Sequence, residues 1–330
     1  MKNSQGLLAG FALMLLCASA ASQPAGKMAD DFPSKPIRLI VPFAPSGVSD
    51  IIGRVIATGM AEALGQTVVV DNRPGASGSI GSDAVARAAP DGYTLLLSSL
   101  STVAISPNFL TSVPYDPVRD FTAIGGVATT PNILVVNPEL PASSLSELIG
   151  YAKGAGKDKL SFGSSGTGST GHLSAEVLRV VTGIQMSHIP YKASALAFPD
   201  VIAGRVSMVF DSLPSTLSHV KSGKVRPLAV AASRRSVLLP EVPTFAEAGF
   251  PGATLLFWTG LEGPPNLPEP IVQKLNAALR KALAAGSLRE RLITLGADPL
   301  LTSPQEFAEL RRVDVARVKK LIKDAGIRTE

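Results

Sequence analysis

Three stretches of small, hydroxyl-bearing and glycine residues stand where an apolar strand-like run gives way to helical periodicity. They are Ala44-Pro45-Ser46-Gly47-Val48-Ser49-Asp50, Arg73-Pro74-Gly75-Ala76-Ser77-Gly78-Ser79 and Gly163-Ser164-Ser165-Gly166-Thr167-Gly168-Ser169-Thr170-Gly171. A helix start carries backbone N–H groups without intrahelical acceptors and the positive end of the helix dipole, so it can hold an anion. Glycine lets the backbone approach a ligand closely, and Ser and Thr hydroxyls add adjustable donors. One such loop reads equally well as a turn with an N-cap. Three of them, drawn from both halves of the chain, point to a shared anion site.

Several sharper motifs fail at a specific residue. Gly166-Thr167-Gly168-Ser169-Thr170-Gly171 matches the dinucleotide fingerprint, but Tyr191 and Lys192 stand where its acidic partner belongs. Gly163–Thr170 has the spacing of a phosphate-binding P-loop, with Ser169 in place of the lysine. There is no G-x-S-x-G elbow. Serines near His172 and Asp211 can be assembled into a triad on paper, yet nothing in their spacing demands it. His172, His188 and His219 read as core or hydrogen-bonding residues. With one cysteine, three histidines and no HExxH or CxxC, no metal site and no cofactor are expected.

The elements that must position these loops alternate along the chain. Ile37–Phe43 reads as a buried strand, and Ile51, Ile52, Val55, Ile56, Met60 and Leu64 follow at helical spacing. Strand Thr67–Val70, helix Ile80–Ala89 and strand Thr94–Ser98 complete a βαβαβ order, which predicts a parallel sheet flanked by helices. Ile133–Val136 reads as a further strand, and Ser144-Leu145-Ser146-Glu147 is a capping box opening a helix. A second series follows: strand 159–163, helix 172–182, strand 186–191, helix 195–203, strands 206–210 and 226–231. Thr244-Phe245-Ala246-Glu247 is another capping box. A Gly/Pro-rich segment, Gly260–Pro270, precedes helices 271–285 and 287–295, and Ser303-Pro304-Gln305-Glu306 caps the last helix.

The 330 residues are 45% hydrophobic and 17% charged, which excludes intrinsic disorder and suggests two domains of about 100–200 residues each. The formal charge of +5 is a C-terminal property, because residues 271–330 hold 12 Lys/Arg against 7 Asp/Glu. Residues 21–270 hold 18 against 19. The basic stretch 311–323 has helical apolar spacing and no aromatic residue, so it reads as a solvated helix face and gives no nucleic-acid footprint. At the other end, Lys2 precedes an apolar run from Gly6, and Ala18-Ser19-Ala20 supplies the small residues of a cleavage site. This predicts a signal peptide over 1–20, cleaved near Ala20, and an exported, periplasmic protein. Leu15 and Leu16 before Cys17 argue against a lipid anchor.

PFAPSGVSD (42–50), VVVDNRPGASGSIGSDAVARAAPDGYTLL (68–96), SSGTGSTGHLSAE (164–176), HIPYKASALAFPDVIAGRVSMVFDSLPS (188–215), the run 223–252 and GLEGPPNLP (260–268) are, in this order, similar to the Bug family. These are the periplasmic solute receptors of tripartite tricarboxylate transporters. The resemblance implies an α/β, two-domain, type II periplasmic-binding-protein architecture, each domain a mainly parallel sheet flanked by helices, with a ligand cleft between them. It suggests a first domain of 33–131 plus 254–280 and a second of 132–253 plus 281–330. It further implies a monomer that captures a small organic acid or amino acid and meets membrane transporter subunits transiently.

Carried over to this sequence, the resemblance makes Phe43 a wall of the cleft, with amides or hydroxyls from Ala44, Ser46, Gly47 and Ser49. Asp50 would orient that loop or accept from a ligand ammonium or hydroxyl group. Ser77, Ser99 and Thr102 are further strand-end candidates of the first domain, and Ser164, Gly166, Gly168, Ser169, Thr170 and His172 would grip from the second. Lys192 and Asp211 follow other strands and could set the far end. Three departures from the family pattern stand out: Ser46 for glycine, Ala193 and Leu196 in the common YKGSxP pattern, and Glu262-Gly263 for an apolar–Ala pair. Glu262 is expected to be exposed. The alternatives are an exported serine hydrolase using the same loops and a ligand sensor for a membrane signalling partner.

Overall fold

The computed structural model describes residues 31–45, 48–109, 113–154, 160–191, 194–324 and 326. The expected signal peptide, with Cys17, lies outside the described residues, as do Ser46, Gly47, Lys192 and Ala193. Along the chain run β1 (Ile37–Val41), α1 (Val48–Leu64), β2 (Val68–Asn72), α2 (Ser79–Ala86), β3 (Thr94–Ser99), α3 (Ser106–Phe109), β4 (Thr122–Thr129) and β5 (Asn132–Val136). Next come α4 (Leu145–Lys153), β6 (Ser161–Ser164), α5 (Thr170–Thr182), β7 (Ser187–Pro190), α6 (Phe198–Ile202), β8 (Met208–Ser212), α7 (Leu213–Lys221) and β9 (Arg226–Val230). The series ends with β10 (Trp258–Gly263), α8 (Glu269–Ala284), α9 (Gly286–Thr294), β11 (Asp298–Pro299) and α10 (Pro304–Asp324).

Two sheets result, a six-stranded one in the order β11-β4-β10-β3-β1-β2 and a five-stranded one in the order β7-β6-β8-β5-β9. The βαβ segments read from periodicity supply the parallel pairs: β1 with β2 and β3, and β6 with β7 and β8. Both sheets are nevertheless mixed. β10 enters antiparallel between β3 and β4, and β5 lies antiparallel to β8 and β9. These antiparallel strands are where the chain passes between sheets, which a βαβ pattern does not describe.

Each sheet is covered by the apolar stripes of its helices. Ile52, Val55, Ile56 and Met60 of α1 lie in one core with Leu39, Leu97, Leu275 and Leu279. Leu134, Phe162, Leu173, Leu178 and Phe210 share another. Residues 281–294, expected with the second unit, pack instead on the first: Leu283, Leu288 and Leu292 join the core of α1. The reason is the α8 stripe, which continues past 280 on the same face.

Three strands were unread in the sequence, β4, β10 and the two-residue β11, and the first two each contain glycine where another side chain presses on the strand. A Cβ on Gly260 would stand 1.8 Å from the Phe307 ring, and one on Gly126 would stand 2.7 Å from Leu300. Glycine inside a strand marks this kind of close approach. The segment around 195–203 forms only a short turn, Ser194–Leu196, and α6. Thr244 and Glu247 exchange the two capping-box hydrogen bonds, at 2.8 and 3.1 Å, but close a turn without a helix.

Glu262 is also not where the sequence put it. It has no exposed surface, and its Oε1 lies 3.1 Å from Nη1 of the buried Arg311 on α10. Arg311 Nη2 donates to the Val118 carbonyl at 3.1 Å. Burial raises the Glu262 pKa against the pull of Arg311. Its position follows from β10 being a central strand, so that Glu262 faces α10 and not solvent.

Candidate functional site

The chain passes from the first sheet to the second at Thr130-Pro131 and returns at Phe257, and the two passages touch: Thr130 N donates to Phe257 O at 2.7 Å. Around them opens a cleft of about 230 Å³. The first sheet contributes Phe43, Val48, Ser49, Ser99, Leu100 and Ser101; the second contributes Thr170 and Ser212. Thr130, Asn132, Phe257, Trp258 and Thr259 form the part nearest the crossings. No charged side chain lines it among the described residues. A larger hollow of about 710 Å³ lies away from these strand ends, between α1 and β2.

The loop before α1 is tied down by charge. Asp50, 3% exposed, accepts from Arg54 Nε at 3.1 Å and from Asn72 Nδ2 at 3.0 Å. The same Asn72 nitrogen donates to the Phe43 carbonyl at 3.1 Å, and Arg54 Nη2 reaches Asn72 Oδ1 at 3.3 Å. Asn72, at the end of β2, thus joins Phe43, just past the end of β1, to the start of α1. Asp50 holds the loop from behind and does not line the cleft.

The loop before α5 is tied down by neutral groups. Ser164 Oγ meets His188 Nε2 at 2.6 Å and donates to Gly166 O at 3.1 Å. Gly168 N donates to His172 Nδ1 at 3.1 Å, which fixes that imidazole as the Nε2–H tautomer. Ser169 is the N-cap, its hydroxyl accepting from His172 N at 3.2 Å. His172 and His188 stack with ring centroids 4.2 Å apart, and Phe162 stacks on His188 at 4.8 Å. Burial first, then the neighbouring His188 and Arg179, push the His172 pKa down to about 4. Burial also lowers that of His188. With the third amide of the helix capped, those of Thr170 and Gly171 have no intrahelical acceptor.

Of the residues singled out in the sequence, Phe43, Ser49, Ser99 and Thr170 meet around the cleft. Ala44 is exposed beside it. Thr102 is buried behind Ser99, exchanging hydrogen bonds of 3.0 Å with its backbone. Ser77 is exposed and its carbonyl accepts from Ser106 Oγ at 2.9 Å. Ser164, Gly166, Gly168, Ser169 and His172 shape the second loop and do not line the cleft. Asp211 accepts from Ser215 Oγ at 2.5 Å, while its neighbour Ser212 lines the cleft. The crossing residues Thr130, Asn132 and Phe257–Thr259 were missed, although Pro131 after the 122–130 run marked a passage. Asn72 and Arg54 were missed as well, and no local pattern announces them.

Ser164 and His188 stand at a nucleophile–base distance, but Ser164 is fully buried and does not line the cleft. A substrate has no route to its oxygen, so the dyad reads as structural. Among the described residues no cluster of three or more His, Cys, Asp or Glu could hold a metal ion. No described helix is long and apolar enough to cross a membrane.

A family model described as the tripartite tricarboxylate transporter family receptor matches residues 52–327. The chain is 36% identical to protein BugT of Bordetella pertussis over 98% of both chains. Among solved structures it is similar to Rpa4515 of R. palustris with adipate, at 37% identity and TM-score 0.76, covering 91% of this chain and all of the other. It is likewise similar to MatC (Rpa3494) of Rhodopseudomonas palustris with bound malate, at 33% identity and TM-score 0.71, covering 88% and 100%.

Proposed function

The chain belongs to the tripartite tricarboxylate transporter receptor family, and from that premise we propose that it is a periplasmic, non-catalytic receptor for a small carboxylate. It captures the acid in the cleft between its two sheets and hands it to the membrane subunits of a tripartite transporter. One observation carries this reading. The hydroxyls of Ser49, Ser101, Thr130 and Thr170 line the cleft with no hydrogen bond to another described residue, beside the starts of α1 and α5. Free hydroxyls and orphan amides can stabilise a carboxylate without a cationic side chain. The relatives solved with adipate and with malate support carboxylate binding.

The division into domains that fits this reading assigns residues 31–131 and 258–324 to one unit and 132–257 to the other. Ser49 and Thr170 are then the opposed contacts on closure. Signal cleavage near Ala20 and action as a monomer belong to the same proposal.

The test is a thermal-shift and calorimetric screen of mono- and dicarboxylates, adipate and malate included, on protein unfolded, dialysed and refolded to strip bound ligand. A ligand that binds only the folded state at 100 times its Kd adds about 2.7 kcal/mol, a shift of several degrees. A stripped, folded protein that no carboxylate stabilises would sink the reading. Uptake by reconstituted transporter subunits, dependent on added receptor, tests delivery.

A further inference from the structure

The only tryptophan in the chain, Trp258, stands at the return crossing and lines the cleft. Its strand, β10, presents Trp258, Gly260 and Glu262 on one face, by the two-residue period of a strand. α10 presents Phe307, Arg311 and Asp314 on one stripe, by the spacing of a helix. The two rows meet. The Phe307 ring fills the space over Gly260 and stands edge-on to Trp258 at 5.1 Å; Arg311 pairs with Glu262; Asp314 Oδ2 accepts from Trp258 Nε1 at 2.8 Å. One turn further on, Arg317 Nη2 donates to Thr254 O at 2.6 Å. α10 therefore grips the chain on both sides of the segment that carries Phe257 into the cleft.

We propose that Asp314 is a positioning residue for ligand binding: by holding the Trp258 indole, with Arg317 holding Thr254, it fixes the return crossing and the cleft wall of Phe257, Trp258 and Thr259. The inference rests on the receptor reading. It adds that a helix far along the sequence, with no contact to the ligand, sets the shape of the site. An indole N–H buried without an acceptor is costly, so the ring moves when Asp314 cannot accept. The crossing moves with it, because Trp258 and Phe257 are adjacent.

The test compares Asp314→Asn, which keeps an acceptor oxygen in the same volume, with Asp314→Leu, which does not. Lys319→Ala, exposed on the same helix, is the control. Dissociation constants are measured for adipate and malate, together with the emission maximum of Trp258. Asp314→Leu is expected to weaken binding about tenfold and shift the emission to longer wavelength. Asp314→Asn should stay within about 1.5-fold of wild type with unshifted emission. Equal losses in both variants, or wild-type affinity and emission in Asp314→Leu, would overturn the proposal. Should Asp314→Leu not fold, Arg317→Ala, at an exposed position, decides: about threefold weaker binding supports the proposal and unchanged binding overturns it. A wild-type protein that binds no acid of the carboxylate screen defeats the receptor reading, while the emission of the variants still shows whether Asp314 positions Trp258.

Discussion

The loop that opens α1 and the loop that opens α5 face the same cleft, yet they are stiffened by different chemistry. In the first, a buried carboxylate gathers donors from Arg54 and Asn72 and holds Phe43 in place through the same amide. In the second, a serine and two stacked imidazoles satisfy the backbone without a formal charge. Each ends at a helix start, and at α5 the amides of Thr170 and Gly171 have no intrahelical acceptor, the condition for holding an anion. The difference lies in what undoes them. A charged anchor fails when its charge is removed, and an imidazole acceptor fails when it gains a proton.

The largest separation between the two loops is expected in acid. The His172 pKa is about 4 in the folded protein and 6.5 in an unfolded chain. Between those values the unfolded chain binds the proton and the folded one does not, so the contribution of His172 to stability is lost as pH falls from 6.5 to 4 and does not change further below. The loss from this residue is about 3 kcal/mol. His188, also shifted down by burial, adds in the same direction. Urea unfolding across this range should show the slope, and His172→Phe should flatten most of it. An unchanged slope in that variant would erase the contrast between the loops.

Next in size is Asp50→Asn, which removes the charge from the first anchor and keeps its shape. Charge-assisted hydrogen bonds contribute about 1.5–3 kcal/mol, and Arg54 is half in solvent, so a loss near 2 kcal/mol is expected. Carboxylate affinity should drop with it, while the slope between pH 6.5 and 4 stays. Loss of that slope would mean the two loops are one network. Smallest is Ser169→Ala, the cap of α5, at about 1 kcal/mol. It frees the His172 amide, so denaturation should register the loss while carboxylate binding falls little. A collapse of binding would place Ser169 on the ligand itself.

Much of this was readable in advance, and the unread part has a common cause. β1, β2, β3 and their helices announce themselves by apolar periodicity, and the three loops stand out by composition. β4 and β10 do not, because Gly126 and Gly260 lower their strand character to admit Leu300 and Phe307 from well over a hundred or nearly fifty residues away. Glu262 looked like a surface charge for the same reason: its partner, Arg311, is supplied by a helix that local pattern cannot place. In the site, residues of the small-residue loops were found, and those that only the crossings or strand pairing bring to the cleft were not. Asn72 is an ordinary strand-end residue until Asp50 and Phe43 are brought beside it.

The place of β10 also sets an order of assembly. Every strand of the second sheet comes from residues 132–230, whereas the first sheet needs 37–129 and then 258–299. β3 and β4 do not pair with each other; β10 lies between them. A chain emerging from its N-terminus therefore offers the first sheet only as a parallel three-stranded piece and a stray β4. The second sheet has all its strands by residue 230, although its core also takes in Leu255, Phe257 and Phe307 from later in the chain. Until the last seventy residues arrive, Leu97, Ile124 and Val127 remain uncovered, and that interval is when a chaperone has most to shield.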